Sequence, residues 1–161
     1  MADQMNAFAV AALIRETSIR MERLLAQMSV EQINHPGAVG VWSVKDVLAH
    51  IAFWERYTVK MLQAAARGET PELSADDQTE RNNASVVAQY YQRPLSAVIA
   101  DWQQAREDLL EQLAGLSEAD LNDPDRFPWS NGRTLLDRIA SSSYEHEQEH
   151  VEQIRTWLAR L

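Results

Sequence analysis

Apolar positions along this chain recur at steps of three and four, the period of a helix that buries one face. Val10, Leu13, Thr17, Met21, Leu24 and Met28 form the first such stripe, with Arg15, Glu16, Arg20, Glu22 and Arg23 largely off it. The stripe predicts a helix ending near Ser29. A connecting loop, SVEQINHPGAVG, follows, punctuated by Pro-Gly and a second Gly. Ser43 then reads as the N-cap of a second helix with Asp46 in its first turn, and Val47, His50, Trp54, Tyr57 and Met61 share one face of it as far as Gly68. After the polar loop GETPELSADD, a weakly periodic third helix is predicted from Asp76 or Asp77 until Pro94 interrupts it. Ser96 is the candidate cap of the next stretch, whose stripe of Leu95, Val98, Trp102, Leu109, Leu113 and Leu116 ends near Gly115. The turn SEADLNDP and the loop DRFPWSNG come next, and Phe127 and Trp129 in that loop either cover a bundle end or form a lid. The last helix is predicted from Thr134, with Asp137 three residues on. No strand alternation and no internal repeat stand out. An all-α, antiparallel four-helix bundle in a single domain over residues 1–161 is the economical architecture.

The inward face of the last helix collects Ile139, Ser143, His146, His150, Gln153 and Trp157, so apolar residues bracket a polar centre. A core stripe has no reason to turn polar only in its middle. His146 and His150, four residues apart, stack on one helical face. His50 lies roughly two turns into the second helix and the pair roughly three turns into the last, depths at which the three can meet. Three neutral imidazoles leave at least one position open for an exchangeable ligand, and zinc, nickel, iron or copper would accept them. Trp54 and Tyr57 are then candidate pocket walls, while Ser143 and Gln153 flank the pair and would orient water or ligand. Other readings stand beside this one. His50 alone would serve as a hydrogen-bonded core histidine, and the pair alone as solvated residues on a surface helix. His146-Glu147-Gln148-Glu149-His150 also satisfies HExxH and its reverse, with Glu147 as general base of a metalloprotease. Against that, no further histidine follows His150, no strand precedes it to bind a peptide, and Glu147 and Glu149 point away from the middle of the pair. Arg133 is read as an exposed helix-terminal residue or as a contact to an anionic cofactor.

Composition narrows the partners. A formal charge of −9 and a pI near 4.9 provide no basic stripe for a phosphate backbone, so no nucleic acid is expected. The absence of cysteine removes disulfides, thiolate nucleophiles and cysteine-ligated zinc, and fits a cytoplasmic location. The first residues carry an acid where a signal peptide would be basic, and no apolar run approaches the ~20 residues that span a bilayer, so no membrane association is expected.

The segments GVWSVKDVLAHIAFWE around His50 and SSSYEHEQEHVEQIRTWL around His146 and His150 resemble the DinB-like, or YfiT-like, family of metal-dependent proteins. The resemblance spans essentially the whole chain, including the Trp-Ser entry to the second helix and the Arg-Thr-Leu entry to the last. It implies a four-helix bundle, often a homodimer, with a divalent metal held by His50, His146 and His150; His35 has no counterpart and falls in a loop. Some relatives are thiol-dependent transferases or isomerases that use mycothiol, bacillithiol or glutathione, and others hydrolyse a reactive small molecule for self-protection. The expectation is therefore a metal-dependent enzyme on a small-molecule substrate, its metal holding a low-molecular-weight thiol as thiolate against an electrophile. The alternatives are a metal-dependent hydrolase of a small reactive compound and, outside catalysis, a metal-containing stress-response protein that sequesters a small hydrophobic molecule.

Overall fold

Short hydroxyl and amide side chains decide where most of the helices begin. In the computed structural model, which describes residues 4–73 and 79–161, the Asn6 side chain accepts from the Ala9 N–H to start α1, Ala7–Leu25. Reciprocal capping boxes open α2 (Val30–Asn34) at Ser29 and Gln32, α3 (Val44–Ala66) at Ser43 and Asp46, and α6 (Glu118–Asn122) at Ser117 and Asp120. Between them lie α4, Thr79–Tyr90, and α5, Leu95–Ala114. A single 3₁₀ turn, Pro128–Ser130, precedes α7, Leu135–Ser142, whose N-cap Thr134 accepts from the Asp137 N–H. The chain ends in α8, Tyr144–Leu158.

The all-α bundle matches expectation, and several local details differ. α1 stops at Leu25 rather than near Ser29. Two stretches read as loop and turn contain the short helices α2 and α6. Ser96 does not cap α5; the chain enters from Pro94 in an extended conformation and without a side-chain cap. The start of α4 expected at Asp76 or Asp77 lies outside the described residues. The last predicted helix is divided at Ser143, whose φ of −128° and ψ of −102° leave the helical region.

Core membership reveals the direction of the helices. One cluster joins the end of α1 (Met21, Leu24) to the starts of α3 (Val47, Leu48, Ile51) and α5 (Val98, Trp102) and the end of α8 (Val151, Ile154). The other joins Val10 and Ile14 to Leu62, Leu109, Leu113, Leu135 and Ile139. Thus α1 runs with α7 and α8, and α3 runs with α5, the two pairs opposed. α4 lies against α3 and returns the chain between α3 and α5. Arg56 fixes that second pair, donating to both carboxylate oxygens of Asp101 at 2.8 and 2.5 Å. Phe127 and Trp129 pack on the second cluster, which settles them as a bundle-end cover. No helix among the described residues is long and apolar enough to cross a membrane.

Candidate metal centre

His50 is carried by α3 about two turns past its N-cap Ser43, and His146 and His150 sit on successive turns of α8. The helix contacts that bury Ile51 and Ile154 bring these turns together. His146 Nε2 lies 2.8 Å from His50 Nε2 and 3.1 Å from His150 Nε2. One ring nitrogen from each histidine falls within 4.8 Å of the other two, so the three can hold a metal ion. Tetrahedral Zn–N bonds of about 2.0–2.1 Å place ligand nitrogens roughly 3.3 Å apart, so a few tenths of an ångström of opening accommodates the ion.

Protonation favours the same use. Burial, then His150, pulls His50 down to about 4. Burial, then His150 and His50, pulls His146 to about 3. His150 is lowered as well, burial outweighing Gln153 and Glu149. All three rings are therefore neutral at pH 7 and present lone pairs. Gln153 Oε1 stands 2.8 Å from His150 Nδ1; with the proton on Nδ1, His150 donates to Gln153 and frees Nε2. The Nδ1 atoms of His50 and His146 are buried without a hydrogen-bond partner among the described residues.

The cluster opens into a cavity of about 510 Å³. Trp54 and Tyr57 line it, Trp54 Nε1–H donating to Asn83 Oδ1 at 2.9 Å. Ser143 does not line it. Its buried hydroxyl donates back to the Ile139 carbonyl, and Ser141 and Ser142 form the wall instead. The Ser142 and Thr58 hydroxyls meet at 2.5 Å across α7 and α3. Trp42, also in the lining, packs against His50 with ring centroids 5.0 Å apart. Glu149 is exposed on the cavity wall rather than directed away from it.

Glu147 faces the other side of α8. It is fully enclosed, accepting from Trp102 Nε1–H at 3.0 Å and Ser18 Oγ–H at 3.2 Å. A protease base in the HExxH sense is thereby ruled out, because the carboxylate is separated from the cavity by the helix that bears it. Trp102→Phe should cost about 1–3 kcal/mol in urea unfolding, since it leaves a buried carboxylate oxygen without its donor. A loss within 0.5 kcal/mol, roughly the noise of a surface substitution, would show the N–H to be dispensable.

A sequence profile of the DinB superfamily matches residues 13–154. The chain belongs to the DinB superfamily. No curated protein matches it. Among solved structures it is similar to an uncharacterised Escherichia coli UTI89 protein at 15% identity, covering 98% of this chain and 95% of that one with a TM-score of 0.83. It is similar to the colibactin self-resistance protein ClbS, in a complex with double-stranded DNA, at 13% identity, 100% and 99% coverage and a TM-score of 0.84. A Streptococcus pneumoniae protein aligns at 14% identity, 99% and 93% coverage and a TM-score of 0.84. At such identities these structures establish the DinB fold alone.

Of the residues singled out in the sequence, His50, His146, His150, Trp54, Tyr57 and Arg133 line this cavity and Gln153 bonds His150, whereas Trp42, Thr58, Asn83, Arg138 and Ser142 line it without having been singled out. Thr58 had a signal, lying four residues after Trp54 on the same helical face. Asn83 had none, because α4 is too weakly periodic to reveal which side meets α3.

Proposed function

We propose that the chain is a metal-dependent enzyme acting on a small molecule, with His50, His146 and His150 as the ligands of a divalent cation. The convergence of three neutral Nε2 atoms on the wall of an open cavity carries this reading. When bound, the cation supplies Lewis acidity, lowering the pKa of a low-molecular-weight thiol so that its sulfur meets an electrophile as thiolate. The chain's own part is placement. Gln153 holds the His150 ring, Trp42 packs on His50, and Trp54 and Tyr57 give the substrate apolar walls that exclude water. The lack of cysteine in the chain supports a sulfur drawn from solution. Double-stranded DNA, the partner described for ClbS, is not carried over, because a formal charge of −9 opposes a phosphate backbone.

Metal-loaded protein incubated with glutathione, bacillithiol or mycothiol and a chlorinated aromatic is expected to consume thiol at least tenfold faster than protein stripped of metal. Equal rates across all three thiols would remove the transferase reading. Metal-dependent cleavage of esters or lactones in the same preparations would replace it with a hydrolase, for which Glu149 on the cavity wall is the available carboxylate.

A further inference from the structure

Two arginines line the same cavity as the histidines, and neither has an ion-pair partner among the described residues. We propose that Arg133 and Arg138 are the recognition end of the cavity and bind the carboxylate or phosphate of a small organic anion whose uncharged end reaches the histidines. The proposal rests on the reading of this cavity as the substrate site.

The arginines are held in place by the turn before α7. Ser130, fully buried, donates its hydroxyl to the Arg133 carbonyl at 2.6 Å. Arg138 in turn donates from Nε to Ser130 Oγ at 2.6 Å and from Nη2 to the Ser130 carbonyl at 3.0 Å, and its guanidinium lies 5.7 Å from the Trp129 ring centroid. Among the described residues, this leaves Nη1 and one Nη2 hydrogen of Arg138 uncommitted. Arg133 makes one long bond among the described residues, from Nη2 to Ser141 Oγ at 3.3 Å. Burial, then Arg133, lowers the Arg138 pKa, with Tyr57 opposing, as expected of like charges held close. An anion between them removes that repulsion and matches guanidinium geometry. Glu149, in the same lining and bonded to neither arginine, disfavours negative charge along the whole ligand and confines it to one end.

Calorimetric titration with benzoate, phenyl phosphate and the neutral isostere benzamide tests this on wild-type protein, both metal-loaded and metal-stripped. One or both anions should bind metal-stripped protein at least tenfold more tightly than benzamide, weaken with added salt, and lose about tenfold in Arg133→Gln. The anion that binds tighter identifies carboxylate or phosphate as the preferred group. Arg138→Lys, which keeps the charge and loses the fork to Ser130, should weaken the same ligand less. Benzamide binding equal to both anions, or anion binding unchanged in Arg133→Gln, overturns the proposal. Metal content measured on the same samples keeps the two readings apart: anion selectivity in protein that never retains metal refutes the metal centre and leaves the arginine site standing.

Discussion

Replacing His146 with alanine is expected to lower divalent-metal affinity by at least about 100-fold and to reduce turnover to that of stripped protein. Its Nε2 is the shared atom of the cluster, in contact with both other rings, so its loss leaves two nitrogens on different helices. Losing only an orienting partner of a ligand typically costs about 10–100-fold, and losing the ligand itself costs more. Stability without metal should change little. The His146 Nδ1 is buried without a partner, so truncation removes an uncompensated polar group, and the space joins a cavity already present. Chelator competition with elemental analysis measures the first effect and thermal unfolding in chelator the second. Stoichiometric metal held at wild-type affinity by His146→Ala would place the ion elsewhere.

Glu55→Leu is expected to stabilise the fold by about 1–4 kcal/mol at pH 8, the order of the work of keeping a proton on a buried carboxyl above its ordinary pKa. Glu55 is fully buried in α3, and neither carboxylate oxygen has a hydrogen-bond partner among the described residues. Burial, then Glu147, holds its carboxyl well above the ordinary value of 4.5, with Arg106 and Arg56 opposing. Burial likewise raises Glu147, to about 7, against Ser18 and Trp102. The folded chain therefore keeps a proton on Glu55 that the unfolded chain releases near pH 4.5. Relative stability from this group is fully present below that pH and is lost as pH rises toward the folded value, by up to ~1.4 kcal/mol per pH unit for one proton. The advantage of Glu55→Leu should accordingly be larger at pH 8 than at pH 5 in urea unfolding. An advantage that is flat across this range, or that shrinks as pH rises, would mean the carboxyl is not held protonated.

Local chemistry made much of this fold readable and non-local packing concealed the remainder. Ser43 with Asp46 and Thr134 with Asp137 announce their helices because a cap depends only on residues three apart. The same logic was present at Ser29 with Gln32 and Ser117 with Asp120, but five-residue helices are too short to develop a 3.6-residue stripe. Spacing on α8, with its polar centre, and a histidine on the inward face of α3 were enough to suggest that the three histidines meet. They could not reveal Glu147 as buried, because its donors Ser18 and Trp102 arrive from α1 and α5, 129 and 45 residues away. Nor could they reveal the break at Ser143, where no Gly or Pro intervenes and the stripe from Ile139 through Ser143 to His146 keeps helical spacing.

That break also separates two parts of the cavity lining. Arg138, Ser141 and Ser142 belong to α7, whereas His146 and His150 belong to α8, and Ser143 interrupts the continuous ladder between them. In an unbroken rod, an insertion or reorientation upstream would rotate every downstream side chain by about 100° per residue. With the joint in place, the cavity wall carried by α7 can shift while the histidines carried by α8 keep their register, so the two halves of the lining are separable.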